Sequence, residues 1–232
     1  MTDERLTITT PAGSFKAYVA RPDAKSAPAI VVIQEIFGVN AVMRGVCDDL
    51  ADQGFIAICP DLFWRIEPGI DITDQSDAEW KRAFELYNAF DVDAGVGDID
   101  ATIDLIRGDP QCSGKVGAVG FCLGGLLSYL TATRTGSDAS VAYYGVGIDK
   151  FTGEAVKLVH PLMLHIAEED QFVPKPAQEL ILTALKNHAH IEIHTYPGRD
   201  HAFARKGGEH YDAHDAGLAN QRTLDFFRVA LG

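Results

Sequence analysis

The sequence predicts an α/β fold: one open, mostly parallel central sheet with helices on both faces. Three observations predict it. Strand and helix signals alternate along most of the chain, the order that builds parallel sheets with crossover helices. The runs AIVVIQ (29–34) and FIAICP (55–60) are almost wholly apolar, as strands covered on both faces must be. The stretch GAVGFCLGGLLSYL (117–130) joins a buried strand to a helix through a tight turn flanked by glycines.

Each element has its own signal. LTITT (6–10) and FKAYVA (15–20), separated by PAGS, read as an opening antiparallel hairpin. AIVVIQ is the first fully covered strand. The segment from Asn40 to Gln53 is helical with Asn40 as its cap, and FIAICP is the next buried strand. WRIEPGIDITDQSD (64–77) is the longest irregular segment and reads as a surface loop near a site. Two helices are expected over 76–90 and 92–107. KVGAVGF (115–121) is a strand, and residues 123–133 are a helix. SVAYYG (140–145) and HPLMLHI (160–166) are strands, followed by a helix over 175–188, the strand IEIHTYP (191–197) and a last helix over about 211–229. With no repeat, low-complexity tract or linker, residues 1–232 are read as one domain.

Composition bounds the function. A net charge of -13, with no cluster of Lys or Arg against it, argues against nucleic acid as a partner. A small anionic ligand would need cations placed locally in its pocket. No apolar run reaches the length of a membrane span, and the opening MTDERLTITT lacks the features of a signal peptide, so a cytoplasmic location without membrane attachment is expected. Cys47, Cys59, Cys112 and Cys122 show no CxxC pairing, and a chain this long needs no staples, so all four are expected as free thiols.

Ligands of such sheets bind at the carboxyl ends of strands, and Cys122 is there. Gly-x-Cys-x-Gly between a strand and a helix is the layout of a nucleophile elbow, with sulfur in place of the usual hydroxyl. N–H groups and the dipole at the helix start favour a thiolate and can stabilise an oxyanion. An elbow of this kind needs an acid and then a histidine, each in a loop after a later strand. AEEDQFVP (167–174) supplies Asp170, taken over its neighbours Glu168 and Glu169, and RDHAFAR (199–205) supplies His201. His165 and His194 fall inside strands, and His188 and His190 flank a helix end. His210 and His214 stand four apart, a spacing that could hold a metal on a helix face, but solvated surface histidines are the expectation. No metal or cofactor is expected.

At this point the chain resembles the dienelactone hydrolases (carboxymethylenebutenolidases), which are α/β-hydrolases with a cysteine nucleophile. The resemblance covers almost the whole chain. It is carried by QEIFGVNAVMR (34–44), CPDLFWR (59–65), FDVDAGVGDI (90–99), GKVGAVGFCLGG (114–125), YYGVG (143–147), EEDQFVP (168–174), DHAFAR (200–205) and LANQRTLDFF (218–227). It implies the α/β-hydrolase fold and a triad of Cys122, Asp170 and His201. Glu35 matches a carboxylate set against the resting thiol, and the backbone N–H groups of Ile36 and Leu123 match the oxyanion hole. Arg205 matches an arginine that holds the substrate carboxylate.

The match loosens elsewhere in the substrate contacts. Where the family carries a second arginine, Trp80 stands, with Lys81 and Arg82 beside it as candidates for that role. Ala202 follows the histidine where the family often has serine. Phe37, Phe84, Tyr87 and Tyr144 could line the pocket. The expected function is opening of a dienelactone, or a related activated lactone or ester carrying a carboxylate, through a thioester, by a monomer. Two other readings stay open: an esterase for other activated aryl esters, and a catalytically silent module binding a small acid.

Overall fold

A computed structural model describes residues 4–232 of the chain. The N-terminal hairpin forms as the sequence expects. β1 (Glu4–Thr10) pairs antiparallel with β2 (Gly13–Ala20) around the turn that sets Thr10 opposite Gly13. Six strands follow: β3 (Ala27–Ile33), β4 (Ile56–Pro60), β5 (Cys112–Phe121), β6 (Ala139–Tyr143), β7 (Leu162–Ala167) and β8 (Ile191–Tyr196), of which β3, β4, β6 and β7 are buried almost throughout. They form an eight-stranded sheet in the order β1-β2-β4-β3-β5-β6-β7-β8. The pairs β3/β4, β6/β7 and β7/β8 run parallel, while β1/β2 and β2/β4 run antiparallel. This is the mostly parallel α/β sheet predicted above. By its contacts the chain divides into two units, Met1–Ala118 and Val119–Gly232, with the division inside β5.

In the first unit, α1 (Ala41–Asp52), α2 (Asp77–Ala89) and α3 (Val92–Arg107) begin at side-chain caps. Asn40, Ser76 and Asp91 each accept the N–H three residues on, satisfying a donor that has no partner within the helix. Met43, Cys47, Leu50 and Ala51 form the buried stripe of α1, at the spacing one helix face requires. Burying a side chain such as Leu50 contributes about 1.5–3 kcal/mol. The loop after β4 is anchored by Asp98, whose carboxylate accepts the Trp64 indole N–H at 2.8 Å and pairs with Arg65.

In the second unit, α4 (Leu123–Arg134) is buried over Leu123–Thr133, a stretch without a charged side chain. The segment Ile148–Lys157 is a 3-10 helix that the sequence reading did not foresee. α5 (Lys175–Leu185) ends three residues before the expected His188, and α6 (Ala213–Leu231) begins after Tyr211. His165 is enclosed by β7's neighbours: Nδ1 meets the Tyr196 hydroxyl at 2.8 Å and Nε2 meets Thr223 Oγ1 at 3.0 Å. Thr223 in turn meets the Tyr143 hydroxyl at 2.7 Å, so one polar chain ties β6, β7, β8 and α6 together. Burial, reinforced by His194 and Arg222, holds the His165 pKa well below 6.5 and keeps the ring neutral. Among the described residues no helix is long and apolar enough to cross a membrane, and all four cysteines are free thiols.

Candidate active site

Three residues other than glycine have positive φ among the described residues: Cys122 (56°), Tyr144 (37°) and Ala202 (62°). Each conformation costs about 1–3 kcal/mol for a residue with a side chain, so the surrounding structure must impose it. All three lie in the second unit, and they surround one constellation. Cys122 leaves β5 and enters α4 with its N–H donated to the Tyr143 carbonyl at 3.1 Å. Its own carbonyl accepts from Gly125 at 3.0 Å and Leu126 at 3.3 Å, which starts the helix directly at the cysteine. Leu123 is the first helical residue, a position whose N–H has no acceptor within the helix.

The glycines of the elbow are there for space. A Cβ on Gly120 would stand 1.9 Å from the Gly124 carbonyl oxygen, and one on Gly125 would stand 2.4 Å from that of Tyr143. Both obstacles are backbone and cannot rotate away. Gly120→Ala is therefore expected to destabilise the protein by about 3 kcal/mol, measured by urea denaturation. A stability equal to wild type would mean that the turn is not as tight as described.

The acid loop follows β7. Asp170 Oδ1 accepts the backbone N–H groups of Phe172 at 2.8 Å and Val173 at 3.1 Å, leaving Oδ2 for His201 Nδ1 at 2.8 Å. Glu169 instead pairs with Lys175 at 3.2 Å and is more than half exposed. The loop is fastened from beneath by Gln178 of α5, whose Nε2 donates to the carbonyls of Ala167, Glu168 and Val173. Sequence reasoning passed over Gln178. Its signal was an amide on the same helix face as the buried Ile181 and Leu185.

His201 is 3% exposed, with the edges of Phe172 and Tyr144 against it at ring distances of 4.8 and 5.0 Å. Its Nε2 is buried and falls short of full hydrogen-bond geometry with any group, yet Cys122 is the neighbour that bears most strongly on the ring's proton. Burial works against the charged ring. Electrostatic attraction to Cys122 and the bond to Asp170 outweigh it and raise the His201 pKa from 6.5 to about 10. The arrangement brings together a thiol side chain, an imidazole and a carboxylate bonded to that imidazole.

The remaining expected site residues fall as follows. Arg205 is buried, at the end of a turn in which its N–H meets the Ala202 carbonyl at 2.9 Å. Tyr144 is also buried, underlying His201 and Phe203, with its N–H on the His165 carbonyl at 2.8 Å. In the first unit, Glu35, Ile36 and Phe37 follow the end of β3 and are 1%, 5% and 1% exposed. Gln34 steadies that turn by accepting the Leu62 N–H at 3.0 Å. On α2, Trp80 meets the edge of Phe37 at 5.1 Å and stacks on Phe84 at 5.7 Å. Arg82, half-exposed, pairs with Glu67 and with Glu85, Lys81 is exposed, and Tyr87 is half-buried.

The possible metal pair does not share a helix face. His210 lies before α6 and approaches Asp200 at 3.7 Å, whereas His214 sits in the first turn of α6 beside Asp215 at 2.9 Å. Asp212, His214 and Asp215 do gather their ligand atoms within 4.8 Å, but Arg199 is bound to both acids.

Known proteins resemble this chain over nearly its full length. A relative from Azospirillum brasilense is 49% identical over 95% of each chain. A carboxymethylenebutenolidase from Pseudomonas putida is 43% identical over 92% of this chain and 90% of its own. A crystal structure from Klebsiella pneumoniae superposes with a TM-score of 0.84 at 28% identity, covering 97% of both chains. The family described as "Dienelactone hydrolase family" matches residues 15–231, nearly the full length, and the chain belongs to it.

Proposed function

We propose that this protein hydrolyses dienelactone (4-carboxymethylenebut-2-en-4-olide), or a related activated lactone or ester, through a thioester on Cys122, as a single α/β-hydrolase domain over residues 1–232. The observation that carries this reading is the bond between His201 Nδ1 and Asp170 Oδ2 at 2.8 Å, with Cys122 the neighbour that most raises the ring's pKa. The Cys122 sulfur attacks the carbonyl carbon, and the Leu123 N–H receives the oxygen as it becomes an oxyanion. The family resemblance gives Ile36 N–H the role of second donor and sets Glu35 against the resting thiol. The leaving group of a dienelactone is a stabilised enolate that needs little protonation. A thiolate, itself a ready leaving group, suits such substrates and does poorly on amides.

Acylation changes the base. Once sulfur is bound in a thioester its negative charge is gone, and with it the strongest influence raising the His201 pKa. Burial then acts against the charged ring. The imidazolium passes its proton to the departing enolate, and the neutral ring, held by Asp170, can take a proton from the water that cleaves the thioester. Arg205 supplies the cation for a substrate carboxylate. We place the enzyme in the cytoplasm as a monomer that uses neither cofactor nor metal.

A second reading, esterase action on activated aryl esters, is favoured by α2. There Arg82 is engaged by two carboxylates, and the side chain meeting Phe37 is the indole of Trp80. The test is steady-state hydrolysis of cis- and trans-dienelactone beside p-nitrophenyl acetate. The first reading expects lactone turnover that falls in Arg205→Ala chiefly through a higher KM. Cleavage of p-nitrophenyl acetate with no turnover of either lactone would overturn it in favour of the second.

A further inference from the structure

Asp200 precedes His201 in the loop after β8, and its carboxylate does two things with one oxygen. Oδ1 accepts the backbone N–H of His201 at 2.6 Å and that of Gln171 at 3.1 Å. Gln171 is the residue next to Asp170. A single oxygen therefore joins the loop that carries the base to the loop that carries the acid. Beside it, Glu169 N–H meets the Arg199 carbonyl at 2.8 Å, so the two loops are joined at two successive points. Hydrogen bonds to an ionised acceptor are shorter and about twice as strong as neutral ones, which suits a carboxylate to this position.

From this geometry we infer that Asp200 is a positioning residue: it sets the Asp170–His201 contact by fastening both loops to one point. The inference rests on the triad reading above. The acid and base lie at the ends of different strands, β7 and β8, so any slip of one loop along the other acts directly on the imidazole. Asp170 is held from its own side by Phe172 and Val173, and the His201 ring by Phe172 and Tyr144. Asp200 is the side chain that connects the two backbones.

The test uses the full chain, p-nitrophenyl acetate and the substitutions Asp200→Ala, Asp200→Asn and Asp200→Glu, with His201 titrated by NMR in each. Asp200→Ala is expected to lower kcat about 10- to 100-fold, because small misplacements of catalytic groups carry losses of that size. KM should stay within about twofold of wild type, and the His201 midpoint should move down from about 10. Asp200→Asn keeps an oxygen at the same place and should restore most of kcat. Asp200→Glu keeps the charge one methylene further out and should remain impaired, which covers the case in which the alanine variant does not fold. Wild-type kcat and titration in Asp200→Ala or Asp200→Glu, or an asparagine variant as poor as alanine, would overturn the inference. Failure of the hydrolase reading looks different: the wild type itself would turn over no ester, and the His201 titration would still report on the two loops.

Discussion

Cys122→Ala is expected to reduce hydrolysis of dienelactone and p-nitrophenyl acetate by about 10⁴-fold or more, with the fold intact. The size follows from the role. In the proposed mechanism the sulfur forms the covalent bond, and neither the base nor the oxyanion donors can substitute for it. The substitution removes one sulfur from a site that is 8% exposed and leaves the glycine contacts of the elbow untouched, so thermal stability should hardly change. It should also lower the His201 titration midpoint, because Cys122 is the largest influence raising it. Steady-state rates and an NMR titration of the same two samples check both points. Turnover that survives in the alanine variant would remove Cys122 from the mechanism.

Asp170→Asn should cost about 10³–10⁴-fold in kcat, the scale on which a triad fails when its histidine loses its carboxylate partner. Asn can still accept from Phe172 and Val173, so the acid loop should keep its shape while the imidazole loses its charged acceptor. Titration should follow the same logic. In the wild type the His201 pKa is raised from 6.5 to about 10, so its contribution to stability is complete below pH 6.5 and is lost as the pH rises through about 10. In Asp170→Asn that window narrows from its upper end. Urea denaturation at pH 6.5 and at pH 10 measures the difference. A wild-type midpoint near 6.5 would contradict the charge pairing described for this site.

Much of the fold was legible because its signals are local. Asn40 and Ser76 cap their helices as their side chains require, and the helix expected over 92–107 is α3. The buried strands followed from unbroken apolar runs. The 3-10 segment Ile148–Lys157 escaped, since IDKFTGEAVK is short and mixes charges with apolar residues around a central glycine. His210 and His214, expected as surface histidines, do not share a helix face, because α6 begins only at Ala213, capped by Asp212.

For the site, residue types and chain order pointed to Cys122, Asp170 and His201, and local sterics made the elbow readable from glycine spacing alone. Such information is short-range: a turn of a few residues either has room for a Cβ or does not. What only the tertiary structure decided are relations between segments far apart in sequence. It brought Asp170 rather than Glu169 to His201, put Tyr144 beneath the imidazole, and turned Arg82 to Glu67 and Glu85. It also placed Gln178 and Asp200 where they hold the loops of the acid and the base. These follow from which strand ends lie side by side, and a residue's chemical type carries no record of its distant neighbours.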